Sequence, residues 1–359
     1  MPDAAAGSVE IYWNGQTESE VGKIKLMPKE FGEQRAIEPV YYASREERIK
    51  FAQDLVESGK VTVKLTEEFS GPEIKNDILA AVLTNVWMLP SASLGNELPI
   101  QASTAHKASS TSLVIDMSLP DTIGRVDIVA KPIPNPLNAE SEIRLLRKCQ
   151  QRGIKVIEPV GVILVHDEDG NRGYSLTMLK HGIVPLSTLR LEGIRLTGND
   201  DKVKSLLRNL GVFVADFQNK GLSHGDLHPG NIGFDATIGS SENFILFDLE
   251  RAHLLEQNKL AFKKNGNNHQ GHDFRNFELA YLKDLAKITA FMAVYNREGL
   301  DSNTIKSEIR SGYFSHRNKE KGQLTDEEFN EKFETFYQKF SSDAEVSLRK
   351  TRVERKPTT

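Results

Sequence analysis

The spacing of apolar positions changes character along this chain, and each change predicts an element. Val9, Ile11 and Trp13 alternate with polar neighbours, as do Ile24 and Leu26, with the turn residues Asn14 and Gly15 between the two runs. A period of two predicts strands. Ser44, followed three residues later by Glu47, forms a capping box that predicts a helix ending near Gly59. A strand over residues 61–65 comes next, and Ser70, Gly71 and Pro72 open a helix that runs to about Leu89.

From about residue 97 the pattern shifts. Residues 112–117 and 125–131 read as two strands joined by a Pro-Asp turn. After Pro132, Pro134 and Pro136, Asn138 is the predicted cap of a helix with Ile143, Leu146 and Cys149 at helical spacing. Residues 160–165 and 174–179 form a hairpin across Asp169, Gly170 and Asn171. Beyond Gly182 the period becomes helical. Val203, Leu206, Leu207, Leu210, Phe213, Val214 and Phe217 mark one stripe, and Leu279, Leu282, Leu285, Ile288 and Phe291 a second. Phe329, Phe333, Phe336 and Phe340 mark a third, read as core.

A β-rich lobe with one helix followed by a helical lobe predicts an α+β, two-lobed protein, an order that suits a ligand cleft. The expected division is an accessory α/β region over residues 1–95, an N-lobe over 96–182 and a C-lobe over 183–345. A basic tail over residues 346–359 is expected to be disordered.

Composition narrows the function. With 359 residues and a net charge of −4, the chain has no general attraction for phosphate backbones, and no nucleic-acid partner is expected. The single cysteine, Cys149, excludes an internal disulfide and reads as a core thiol. The N-terminus lacks a basic cluster followed by an apolar stretch. The longest apolar region, residues 78–89, is broken by Thr84 and Asn85 and stops at Pro90. No membrane span is predicted, and a cytoplasmic location is expected.

Chemistry concentrates in residues 224–231, His-Gly-Asp-Leu-His-Pro-Gly-Asn, and in Asp248 at the end of the apolar run 244–247. Polar residues in a loop braced by a helix and a strand are candidates for chemistry rather than packing. Asp226 and Asn231 lie five apart around Pro229 and Gly230, so one loop can aim both side-chain oxygens into one cavity. An oxygen-rich site with few charges suits magnesium when a substrate's phosphates complete its shell. A carboxylate left unliganded can take a proton from a hydroxyl. His269, His272 and Asp273 lack a third ligand at a diagnostic spacing and read as a polar loop rather than a metal cluster.

Residues 210–234 resemble the catalytic-loop region of the protein-kinase-like superfamily. The style is that of aminoglycoside and choline phosphotransferases, lipopolysaccharide core kinases and RIO-type atypical kinases. The resemblance implies a protein-kinase-like fold over roughly residues 97–295 and an ATP- and Mg2+-dependent phosphotransferase with a hydroxyl acceptor. It implies Asp226 as catalytic base and Asn231 and Asp248 as magnesium ligands, with Asp-Leu-Glu standing where protein kinases carry Asp-Phe-Gly. Lys131 resembles the strand lysine on the ATP phosphates, and Glu142 its helix partner, with Glu140 as the substitute. The resemblance places adenine near residues 178–181, at Met178 and Lys180, with His228 as a further nucleotide contact. Asp284 resembles the helical aspartate that braces the catalytic loop.

Two features depart from the typical protein kinase. No Gly-rich loop precedes Lys131; residues 103–110, rich in Ser and Ala, are its counterpart. Gly225 stands where an arginine usually precedes the catalytic aspartate. Both departures occur in small-molecule kinases and atypical kinases and favour those branches, with a small-molecule or glycan acceptor expected first. An atypical serine/threonine protein kinase and a nucleotide-binding pseudokinase scaffold are the alternatives.

Overall fold

The computed structural model describes residues 45–87, 113–118, 125–133, 135–167, 170–180, 183–187, 200–235, 244–255, 271–296, 300–318 and 324–353. The predicted strands within residues 9–26, the segment 103–110 and His269 lie outside the described residues. The fold class is α+β, and the chain divides into two compact units.

The first unit contains α1 (Arg45–Glu57), β1 (Val61–Leu65), α2 (Pro72–Trp87), β2 (Leu113–Ser118), β3 (Arg125–Ile133), α3 (Pro136–Gln151) up to Lys148, β4 (Glu158–Asp167) and β5 (Gly170–Lys180). The five strands form one sheet in the order β1-β4-β5-β3-β2, and every pairing is antiparallel. The expected accessory region thus contributes α1, α2 and an edge strand to this unit, with Val61 opposite Val165 and Leu65 opposite Gly161.

Side-chain alternation gives this sheet two different faces. Ile128, Ala130, Leu176 and Met178 lie on one, and they share a buried cluster with Ala52 and Leu55 of α1 and with Ile78, Val82 and Leu83 of α2. Lys131 pairs across the strands with Ser175, and both belong to the opposite face. α3 begins three residues earlier than expected. Asn138 lies inside the helix, and the cap is Asn135, whose Oδ1 accepts from Leu137 N at 3.1 Å. Pro136 then occupies the first helical position, where its missing N–H costs nothing.

The second unit contains β6 (Ile183–Pro185), α4 (Asp200–Asn219), β7 (Leu222–Ser223), β8 (Ile232–Asp235), β9 (Phe244–Leu246), β10 (His253–Leu254), α5 (Gly271–Asn296), α6 (Ser302–His316) and α7 (Asp326–Val353). β6, β8 and β9 form a small antiparallel sheet, and β7 pairs with β10. α4 and α6 cross with their backbones in contact. A Cβ at Gly211 would stand 2.0 Å from Ile309 O, and one at Gly312 would stand 1.9 Å from Arg208 O. α6 has no counterpart in the expected elements. Asp301 caps it, accepting from Asn303 N at 2.9 Å and Thr304 N at 3.0 Å, and Ile305, Ile309 and Tyr313 form its buried stripe.

α7 continues to Val353, past the expected start of the tail. Its Phe329 and Phe333 are buried, as expected, but Tyr337 takes the next core position. Phe336 and Phe340 are half-buried and lie beneath Lys283 and Lys287 of α5. Cys149 is buried, and desolvation pushes its thiol up to about 12, which makes it unreactive. No helix among the described residues is long and apolar enough to cross a membrane.

Candidate active site

The loop after β7 is held from three directions. Asp284, midway along α5, is fully enclosed and accepts from Ser223 Oγ at 3.0 Å, His224 N at 2.7 Å and Gly225 N at 3.0 Å. One carboxylate thereby satisfies three donors on consecutive residues and fixes the loop's path. Burial pushes the Asp284 carboxyl up to about 7, opposed by those same three donors.

His224 forms the second tie. Its Nε2 lies 2.9 Å from Phe247 O, and its Nδ1 lies 3.4 Å from Asp226 N. Burial lowers its pKa and favours the neutral ring. One tautomer then serves both contacts: Nε2–H donates to Phe247 and Nδ1 accepts from Asp226.

Gly225 is dictated by geometry. Its φ is +75°, and a Cβ there would stand 2.3 Å from Arg251 O. An arginine at this position, as in typical protein kinases, would meet both a strained backbone and that carbonyl.

The third tie joins the loop to the segment carrying Asp248. Asn231 O accepts from Phe247 N at 2.9 Å, extending the β8–β9 pairing of Ile232 with Leu246. Asn231 Nδ2 donates to Asp226 O at 2.9 Å, which directs the amide oxygen away from that carbonyl. Asp248 follows with φ +51° and ψ +68°, the one described non-glycine residue at positive φ. Such a conformation is disfavoured and persists where the surroundings impose it, often at functional sites. Asn231 and Asp248 therefore leave adjoining strand ends. An amide oxygen and a carboxylate are ligand types that magnesium takes when phosphates complete its shell. Among the described residues no cluster of three or more His, Cys, Asp or Glu could hold a metal on its own.

His228 caps the 3₁₀ turn Pro229–Asn231, its Nδ1 accepting from Gly230 N at 3.0 Å, and its ring stacks on Phe291 with centroids 6.0 Å apart. Asp226 itself is nearly enclosed. Lys287 Nζ donates to its Oδ1, and Arg251 Nη1 lies 3.8 Å from its Oδ2. Sequence reasoning singled out neither cation. The available signal was that Lys287 lies three residues after Asp284, on the same face of α5.

In the first unit, Lys131 Nζ lies 3.4 Å from Glu142 Oε1, and Ser175 Oγ donates to Glu142 Oε2 at 2.8 Å. Glu142 is buried and Lys131 nearly so. Glu140, the substitute, pairs instead with Lys64 at 2.6 Å. Met178 is a core residue, and the backbone of Lys180 pairs with Val126 at the end of β5.

Residues 126–278 match the family model described as Lipopolysaccharide kinase (Kdo/WaaP) family, a span that contains Lys131, Glu142, Asp226, Asn231 and Asp248. A search among curated proteins returns no match. A solved structure, WaaP in complex with acyl carrier protein, aligns with 66% of this chain and 85% of its own at 15% identity and a TM-score of 0.42. Over its matched region the chain is a kinase phosphotransferase of protein-kinase-like fold, similar to the lipopolysaccharide core kinase branch.

Proposed function

We propose that this chain transfers the γ-phosphoryl group of ATP to a hydroxyl of a glycan acceptor of the lipopolysaccharide type. The observation that supports this reading is the locking of Asp226, Asn231 and Asp248 into one frame through His224, Phe247 and Asp284. The description of the matching family supports a glycan acceptor.

Asp226 orients the acceptor hydroxyl and accepts its proton as the oxygen attacks phosphorus. Asn231 and Asp248 hold magnesium, which supplies charge neutralisation on the phosphates when bound. Lys131, fixed by Glu142 and Ser175, contacts the α- and β-phosphates. Backbone groups of residues 178–180 read the adenine edge, since the Met178 side chain is committed to the core. His228 contributes to the nucleotide site through the turn that it caps. Positioning and electrostatics carry the catalysis.

The test is incubation of purified chain with γ-labelled ATP and Mg2+ together with lipopolysaccharide-derived glycans, simple hydroxyl compounds or protein. Label in the glycan fraction is the expected result. Label on protein serine or threonine would instead identify a protein kinase, and binding of ATP without its consumption would identify a scaffold.

Glu142 gives a sharper expectation within this reading. Glu142→Gln replaces a charged partner of Lys131 by a neutral one, and a hydrogen bond to a charged group contributes about 1.5–3 kcal/mol. We expect kcat/KM for ATP to fall about 10- to 100-fold in steady-state assays. Glu140→Gln, which alters only the exposed pair with Lys64, should leave it within about 2-fold.

A further inference from the structure

The catalytic loop brings no lysine or arginine of its own. Residues 224–231 contain two histidines and no other basic side chain. His224 is buried with both ring nitrogens engaged, and His228 is turned onto Gly230 N. Phosphoryl transfer places negative charge beside the base, so a cation at that point has a clear electrostatic purpose.

The chain delivers one from elsewhere. Lys287 stands on α5, one turn beyond Asp284, and its ammonium donates to Asp226 Oδ1. Its side chain is 20% exposed and rests between two rings, with Nζ 5.9 Å from the Phe291 centroid and 5.8 Å from that of Phe340. Phe291 is also the ring on which His228 stacks. Phe291 thus lies against both the lysine and the loop. Arg251, on the other oxygen, is of a different kind. Its side chain is 73% exposed and its guanidinium stands 3.8 Å away, a weak and screened contact.

We infer that Lys287 is the positioning residue of this site: it pins one oxygen of Asp226 so that the other is presented to the acceptor hydroxyl. α5 thereby sets the loop's backbone through Asp284 and the base's side chain through Lys287, both from one rigid helix. The inference rests on the phosphotransferase reading and adds to it a residue outside the loop.

The experiment compares wild type, Lys287→Met, Lys287→Arg, Asp226→Ala and the Lys287→Met/Asp226→Ala double variant. Methionine keeps the apolar stem between Phe291 and Phe340. Lys287→Met is expected to lower kcat about 10- to 100-fold, the size of effect that misplacement of a reacting group produces. The KM and calorimetric affinity for ATP should stay within about 3-fold, and Lys287→Arg should recover most of the lost kcat. Thermal unfolding of the ligand-free chains gives a readout independent of turnover. The midpoint shifts of the two single variants should exceed, when added, that of the double variant, because both remove one interaction.

Full kcat in Lys287→Met, strictly additive midpoint shifts, or a loss carried by ATP affinity at unchanged kcat would each overturn the inference. If the wild-type chain transfers label and Lys287→Met transfers it equally well, this inference fails alone. If the wild-type chain transfers label to no acceptor, the phosphotransferase reading fails and takes the inference with it.

Discussion

Asp226→Asn is expected to reduce phosphoryl transfer by about 10²- to 10⁴-fold, the contribution typical of a general base. The substitution is nearly isosteric. It keeps an oxygen for the Lys287 ammonium, and the backbone carbonyl that receives Asn231 Nδ2 is unaffected. What disappears is the capacity to accept a proton from the attacking hydroxyl. The loss should therefore fall on kcat, while ATP affinity by calorimetry and the thermal midpoint stay close to wild type. Equal losses of turnover and ATP affinity would mean that Asp226 serves binding, and the assignment of the base would have to move.

Asp284→Ala should produce the largest structural effect of any single change near the site. The substitution leaves the buried Ser223 Oγ and His224 N, together with Gly225 N on an exposed residue, without their acceptor. An orphaned buried donor costs about 1–3 kcal/mol, so the two buried ones, partly relieved by loop rearrangement, cost about 2–4 kcal/mol. Hydrogen exchange at the His224 and Gly225 amides should accelerate by about 100-fold or more. Activity should fall with it, since the backbone that carries Asp226 is no longer held. Asp284→Asn retains one acceptor oxygen and should be milder on both measures. Unchanged exchange at these two amides in Asp284→Ala would show that the brace lies elsewhere.

The loop over residues 224–231 was legible in the sequence as a candidate site because its information is local. The spacing of Asp226 and Asn231 around Pro229 and Gly230 is a property of eight consecutive residues, and such a turn leaves few ways to place the two side chains. Asp284 was legible only through the resemblance of its helix to the one that braces the catalytic loop in kinase-like proteins. The choice between Glu140 and Glu142 depended on helical phase. Ala139, Ile143 and Leu146 mark the buried stripe of α3, and Glu142 falls within it while Glu140 does not.

Other features were not legible, for physical reasons. Lys287 meets Asp226 across 61 residues, and no short-range pattern encodes that encounter. The three prolines before α3 obscured its start, because Pro136 reads as a breaker unless it is recognised as the first residue of the helix. α6 was overlooked although Asp301 and the Ile305, Ile309 and Tyr313 stripe announce it; its polar composition hid a narrow apolar face. The role of residues 45–87 depended on tertiary pairing. Alternation marks Val61–Leu65 as a strand but does not say which sheet it joins.

The account stands on Asn231 and Asp248 sharing one cation with the phosphates of a bound nucleotide. Isothermal calorimetry of ATP binding, with and without Mg2+, in wild type and in Asp248→Asn and Asn231→Ala, tests this most directly. The predicted result is binding by wild type that strengthens with Mg2+, and loss of that Mg2+ dependence in both variants. Heat signals indifferent to Mg2+ in all three proteins, or no nucleotide binding by wild type under either condition, would contradict it.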